Sequence, residues 1–309
     1  MLLGALAQSI PDVDFVSAFW NDPASNLLAH RGFTHSLLFD LLATLLFALI
    51  ADHYHKKHEI GYSRWILFFG LQISLHLFID LFNAYGTGLL EPFSHQRFAW
   101  NILFVADPFF SVWPAIAFTA LLIIKNTSHK RRFWQAFGLT ISSVYLLYCC
   151  MNKNWVNREI VSQCKVQKIS YSDYITTPTP FNNWLWYVAI KQDSGYYTGY
   201  YSLFDRKPVT LHYVPQRNEL LQSAGNHEEV QHLIRFSQGF YTIEQWHDTL
   251  VLNVLRFGQI AGWEDPNQKY AFHYFLGRSD ANRLVVQRGR FEGWTWHTAR
   301  SMLKRIEGN

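Results

Sequence analysis

Four short segments of this 309-residue chain carry side chains that ligate metal ions. They are Asp12 and Asp14 behind Pro11; His30-Arg31-Gly32-Phe33-Thr34-His35; His76 with Asp80; and Asp107 ahead of Pro108. Neutral imidazoles mixed with carboxylates suit Zn²⁺ best, with Mn²⁺ or Fe²⁺ as alternatives. The chemistry expected of such a set is hydrolysis, because a bound divalent cation lowers the pKa of water toward 7 and polarises the bond to be cut. On this reading His30, His35, His76 and Asp80 bind the metal. Asp12, Asp14 and Asp107 ligate, act as base, or orient the histidines from behind. Arg31 can pair with an anionic phosphate oxygen, or with a lipid headgroup.

Taken singly, most of these residues have a structural reading. Asp12 after Pro11 suits a turn, Thr34 suits the N-cap of the helix that follows, and Asp107-Pro108 is a helix start with Asp at the cap and Pro at the first position. His76 and Asp80 are different. Four residues apart, they project from one helical face, and they do so inside an apolar run. An ionisable pair costs several kcal/mol there unless it is satisfied, which makes a functional role the default. Asp40 lies in another apolar run; it either orients His35 or partners a polar group on a neighbouring span.

Four apolar stretches, 35–51, 65–82, 108–124 and 133–151, are long enough to cross about 30 Å of hydrocarbon at 1.5 Å per residue. They bring the pieces together. The segment before the first span, the end of the second and the start of the third emerge on one membrane face, so Asp12, Asp14, His30, His35, Asp80 and Asp107 converge there, with His76 one turn deeper. The loops on the other face hold seven basic residues, among them Lys125, Lys130, Arg131 and Arg132, against six spread over longer segments on the face of the site. The positive-inside bias turns those short loops to the cytoplasm and the site away from it. His53, His55 and His58 lie in the first of those loops, out of reach of the site. Between spans two and three, Tyr85-Gly86-Thr87-Gly88 permits a tight turn and reads as a lid or wall, with His95 an extra candidate ligand.

A mean hydropathy of −0.05 averages two unlike halves. From residue 152 the pattern turns polar, with period-two stretches at Leu185–Ile190, Tyr196–Phe204, Val209–Val214, Leu250–Phe257 and Ala271–Gly277 that read as strands. Helices are expected over Asn226–Phe236 and Thr295–Ile306. The expected architecture is a membrane α-helical bundle of about four transmembrane helices over residues 1–151, followed by a soluble α+β domain over 152–309. A net charge of +4 is too small and dispersed to imply nucleic-acid binding. The three cysteines have no CxxC spacing and indicate neither a zinc ribbon nor a disulfide framework. Met1 to Ala7 ends like a signal-peptidase site but has no basic region ahead of it, and reads as a short first helix.

Ile10-Pro11-Asp12-Val13-Asp14, His30-Arg31-Gly32-Phe33-Thr34-His35-Ser36, His76 to Asp80 with Tyr85-Gly86-Thr87, and Leu90 to Phe93 together resemble the YdjM-like family of LexA-regulated, inner-membrane-associated metal-dependent hydrolases. The resemblance covers roughly residues 1 to 110, and its most specific string is HRGxTHS. It implies a metal-dependent hydrolase of the inner membrane acting on a lipid-like or other small-molecule substrate beside the bilayer. Members usually carry a further helix ahead of the Pro-Asp segment. A non-catalytic metal-binding, transport or scaffold protein is the competing expectation. Transport fits less well, because the ionisable residues cluster at one end of the spans and no inverted repeat is present.

Overall fold

The computed structural model describes residues 2–55, 60–277, 282 and 293–309. In chain order its helices are α1 (Leu2–Ser9), α2 (Pro23–Ala29), α3 (Leu37–Tyr54), α4 (Tyr62–Asp80), α5 (Pro108–Ile123), α6 (Lys130–Val166), α7 (His227–Ser237) and α8 (Trp296–Ile306). The strands are β1 (Asp173–Pro178), β2 (Leu185–Lys191), β3 (Gly195–Ser202), β4 (His212–Pro215), β5 (Tyr241–Trp246), β6 (Thr249–Gln259) and β7 (Tyr270–Phe275). The chain divides into two compact units. One comprises Met1–Trp100, Gly225–Gly239 and Leu276–Arg283; the other comprises Asn101–Ala224, Phe240–Phe275 and Leu284–Asn309.

Among the described residues, α3, α4 and α6 are long and apolar enough to cross a membrane, while α5 is apolar but shorter at 16 residues. In the first unit α3 and α4 pair through Ala43, Ala48 and Ala51 on one side and Trp65, Phe69, Ile73 and Leu77 on the other, with Ala7 of α1 joining them. The four large residues recur every fourth position and so line one face. Small alanines opposite them let the two backbones approach, as transmembrane pairs require. Leu37, Leu41, Leu46 and Leu71 point outward and are exposed; this apolar outer surface is what lipid demands. Asp40 is buried between the helices, where its carboxylate accepts from Thr44 Oγ1 (3.2 Å) and from Ser74 Oγ of α4 (2.6 Å). Of the two roles open to Asp40, the observed one is a cross-helix partner.

In the second unit β1-β2-β3-β4 form one antiparallel sheet and β5-β6-β7 another. Strand β2 is buried on both faces. Leu185, Tyr187 and Ala189 pack with Leu255 of β6 and with Met302 and Ile306 of α8. Trp186, Val188 and Ile190 pack against Val156, Ile160 and Cys164 of α6. That second contact explains why α6 runs on to Val166, well past the change in composition at residue 152. Its buried residues Asn152, Val156, Ile160 and Cys164 keep a four-residue spacing through an otherwise polar segment, so the helix holds an apolar stripe for the sheet. Strands β1 and β5 fall outside the stretches expected from the sequence, and the other five strands, α7 and α8 fall within or beside them. His58 lies outside the described residues.

Candidate metal centre

Pro11 starts a 3₁₀ helix, Pro11–Phe19, whose first turn carries Asp12 and Asp14. Asp22 then caps α2, accepting from the Ala24 and Ser25 N–H groups, and Pro23 occupies the first helical position. After α2 the chain reverses at Arg31, which adopts a left-handed φ of 57°. A 3₁₀ turn at Phe33–His35 follows, and α3 begins only at Leu37. Ser36 is therefore the N-cap of α3, accepting from Phe39 N–H (3.1 Å), and Thr34 is not. Freed from that role, Thr34 Oγ1 lies 3.1 Å from His35 Nδ1.

Three residues from three elements meet. One ligand atom each from Asp12, His35 and His76 lies within 4.8 Å of the other two. Asp12 Oδ1 is 3.5 Å from His35 Nε2 and 3.5 Å from His76 Nε2. Asp80 Oδ2 faces the same two nitrogens at 3.4 and 3.6 Å, although Asp80 stands outside the tightest set of three. These separations are long for hydrogen bonds. They match instead the edge between neighbouring ligands around an ion bound at about 2.0–2.1 Å, which is roughly 3.3–3.4 Å for a tetrahedron. His35 Nε2, His76 Nε2 and Asp80 Oδ2 are buried without a hydrogen-bond partner. Buried polar atoms left unmade are costly and uncommon, so the donor set fits a cation.

Asp14 stands behind this set. It is buried, its Oδ2 lies 3.3 Å from His35 Nδ1 and accepts the Arg31 N–H at 2.6 Å, and its Oδ1 faces His30 Nδ1 at 3.2 Å. A carboxylate on Nδ1 leaves Nε2 as the basic nitrogen, the arrangement that orients metal-bound histidines. The electrostatics agree. Burial alone would lower the His35 pKa, but the carboxylates of Asp12, Asp14 and Asp80 outweigh it and push it up to about 10. Asp12 is held well below the usual carboxylate range by the facing imidazoles of His35 and His76. Burial opposes the same shift at Asp14, and its contacts with His30 and His35 win.

The expected site residues therefore sort by position. His35, His76, Asp12 and Asp80 come together, and Asp14 supports them. His30 is not brought into the cluster; it rests on Asp14 and sits edge-on to Tyr85, with ring centroids 6.4 Å apart. Arg31 is buried, with Nη2 at 3.2 Å from Asp80 Oδ1 and its guanidinium over the Tyr85 ring. Asp107 belongs to the second unit. Its Oδ1 caps α5 by accepting from Phe109 and Phe110 N–H, and its Oδ2 accepts from Tyr145 Oη. His95 pairs with Glu91 at 2.8 Å.

Gly86 turns the loop, and Gly88 serves the backbone around Arg31. Gly86 has φ +84°, and a Cβ on Gly88 would sit 2.9 Å from Glu91 Cγ and 3.3 Å from Arg31 O. Without that Cβ, Gly88 N–H donates to Arg31 O at 2.9 Å. Two further residues of this unit were not foreseen. Arg97 donates to the carbonyls of Leu27, Leu28 and His30 and so ends α2. Arg235 of α7 pairs with Glu91 at 3.1 Å. Arg97 lies in a loop already noted for its glycines, whereas nothing in the local sequence around Arg235 marks it.

Paired apolar helices, with a histidine–aspartate cluster that could hold a metal ion, define a membrane-protein class. The YdjM inner membrane protein family matches residues 1–156, and the chain belongs to that family. The family and the three apolar helices support an inner-membrane location. Relatives include the uncharacterized protein YfhP of Bacillus subtilis (strain 168), 33% identical over 139 residues, which are 40% of this chain and 41% of that protein. The inner membrane protein YbcI of Escherichia coli (strain K12) is 32% identical over 110 residues, 34% of this chain and 62% of that protein. The chain thus spans less than two thirds of either relative. No solved structure matches it.

Proposed function

We propose that this protein is a metal-dependent hydrolase of the inner membrane that cleaves an ester or phosphoester of a membrane-associated substrate. The observation that carries the reading is the pair of buried, partnerless Nε2 atoms of His35 and His76, facing Asp12 and Asp80 at ligand-edge separations. Asp12, His35 and His76 would hold the ion, with Asp80 as the next ligand, and Zn²⁺ is the best match to this donor set. Such an ion supplies Lewis acidity and a nucleophile at neutral pH.

The chain's own groups do the rest. Asp14 fixes the His35 tautomer, and Asp80 holds Arg31 beside the centre through its second oxygen. His30 is half exposed on the far oxygen of Asp14, where it can carry a proton between the site and solvent. Asp107 acts as a helix cap. The apolar helices are taken as multiple passes. The basic short loops would face the cytoplasm, and the metal centre and the polar C-terminal half the other side.

Elemental analysis of detergent-purified protein tests this. The wild type should contain at least one equivalent of zinc, manganese or iron, and His35→Ala and His76→Ala should lose it. A wild type free of such metal, with a content unchanged in both variants, would overturn the reading. Stoichiometric metal without hydrolysis of any ester would favour the scaffold alternative.

A further inference from the structure

Beside the metal centre, the first unit gathers three arginines whose charge and donors are only partly answered. Arg31 is 8% exposed; Nη2 meets Asp80, but its Nε and Nη1 are buried with no hydrogen-bond partner. Arg97 spends both terminal nitrogens on backbone carbonyls at the end of α2, and its Nε is likewise buried and partnerless. Among the described residues no carboxylate lies within ion-pair distance of it. Arg235 pairs with Glu91 and has a third buried, partnerless Nε. The charges sense one another: burial, then Arg235 and Arg31, push the Arg97 guanidinium down to about 10.

Charge balance indicates what is missing. Asp12, Asp14 and Asp80 together offset a divalent ion and Arg31, and Glu91 offsets Arg235. Within this cluster Arg97 is left without a carboxylate, so the cluster has room for an anion. Geometry narrows the kind. Asp80 meets Arg31 Nη2 with one oxygen and faces the two imidazoles with the other, so the guanidinium of Arg31 lies one carboxylate away from the ligand atoms. An anion that reaches both needs several oxygens on a compact centre, and guanidinium forks suit phosphate in this way.

The backbone is built to hold that arginine. A left-handed conformation is unfavourable for an L-residue, and such outliers persist where the surroundings enforce them, commonly at functional sites. Here Asp14 accepts the Arg31 N–H and Gly88 donates to its carbonyl, so both sides of the strained residue are fixed.

We propose that Arg31, in the field of Arg97 and of Arg235 from α7, forms the subsite for a phosphate group of the substrate. The bond cleaved is then a phosphoester and not a carboxylic ester. This deepens the hydrolase reading and rests on it. In the reaction the oxygen of water bonds to phosphorus as the P–O ester bond breaks, and the alcohol leaves with a proton; no oxidant or reductant is needed.

The test is calorimetric titration of inorganic phosphate into the full-length protein in detergent, zinc-loaded and chelator-stripped, with zinc content measured alongside. Arg31→Gln should weaken phosphate binding at least tenfold while zinc stays bound, and Arg31→Lys should recover only part of the loss. If Arg31→Gln disturbs the fold and sheds zinc, Arg235→Gln on the partly exposed helix should still weaken phosphate binding several-fold. Competition by phosphatidate micelles against glycerol phosphate distinguishes a lipid headgroup from a soluble ester as the source. Phosphate affinity unchanged within twofold in Arg31→Gln, or no phosphate binding by the wild type in either metal state, refutes the subsite. Absence of zinc from the wild type refutes only the hydrolase reading, because the stripped protein still reports on Arg31.

Discussion

Asp14→Asn is the sharpest probe of how the centre is organised, because it changes charge and donor pattern while keeping shape. The carboxylate now accepts from the Arg31 N–H at 2.6 Å and faces the Nδ1 atoms of His30 and His35 at 3.2 and 3.3 Å. An asparagine is uncharged and has one acceptor oxygen, so its amide N–H faces either the Arg31 N–H or a histidine Nδ1, which can receive it only by changing tautomer. At least one charge-assisted bond is lost, worth about 1.5–3 kcal/mol. At about 1.4 kcal/mol per tenfold, this predicts zinc binding weakened roughly ten- to hundredfold, the usual range for outer-shell partners of metal histidines. Competition against a chromophoric chelator, in detergent and with the melting temperature recorded beside it, measures the change. A zinc affinity within about twofold of wild type would mean that Asp14 does not position His35, and the assignment of its tautomer would fall with it.

Three other expectations follow, two from the cluster and one from Asp40. In the metal-free protein His35 is raised from 6.5 to about 10. Its pairing therefore stabilises fully below pH 6.5 and is lost as pH rises through 10. Asp12 and Asp14 are depressed, so their share is present above about pH 4 and disappears on acidification. The melting temperature of stripped protein should thus be highest near pH 5–6 and decline toward pH 10. Zinc binding at pH 8 should release a proton, seen as a buffer-dependent calorimetric enthalpy; binding enthalpies independent of buffer would count against this. Asp40→Ala should cost about 0.6–2 kcal/mol by removing the α3–α4 bond to Ser74, yet leave metal content unchanged, because Asp40 touches no ligand; loss of metal in a folded variant would revive its role behind His35.

The site was legible where residue type and helical spacing suffice. His76 and Asp80 had to share a face, and once the spans were placed, Asp12 and His35 had to approach them. His30 shows where that reasoning stops. Two histidines flanking a short turn look equivalent in sequence, but the left-handed φ at Arg31 and the 3₁₀ turn after it put His35 on the cluster and His30 on Asp14. An arginine gives no sign that it will adopt that conformation. The same turn shifts the α3 cap from Thr34 to Ser36. Elsewhere, β1 ends on Pro178 and pairs on one side only, and its Thr-Thr-Pro-Thr-Pro run carries no apolar alternation to mark a strand. In α6 the stripe Val156, Ile160, Cys164 is diluted by Lys153, Arg158 and Glu159, which masked a continuing helix.

Helix α7 changes what the polar half is for. It lies in the C-terminal sequence, yet it belongs to the unit that holds the candidate metal centre. There Arg235 meets Glu91, Gln238 donates to Arg97 O, and Ser25 Oγ meets His232 Nδ1. Glu91 and Arg97 belong to the loop whose Gly88 braces Arg31. A chain cut at residue 151 would therefore remove one wall of the arginine cluster and would also interrupt α6 before its stripe reaches β2. The two halves distinguished by composition are not the two units distinguished by packing, because hydropathy follows lipid contact and packing follows which side chains meet. Nothing in a membrane-to-polar boundary forbids the polar half from returning a helix to the membrane half's unit, and here that helix brings Arg235 as the partner of Glu91.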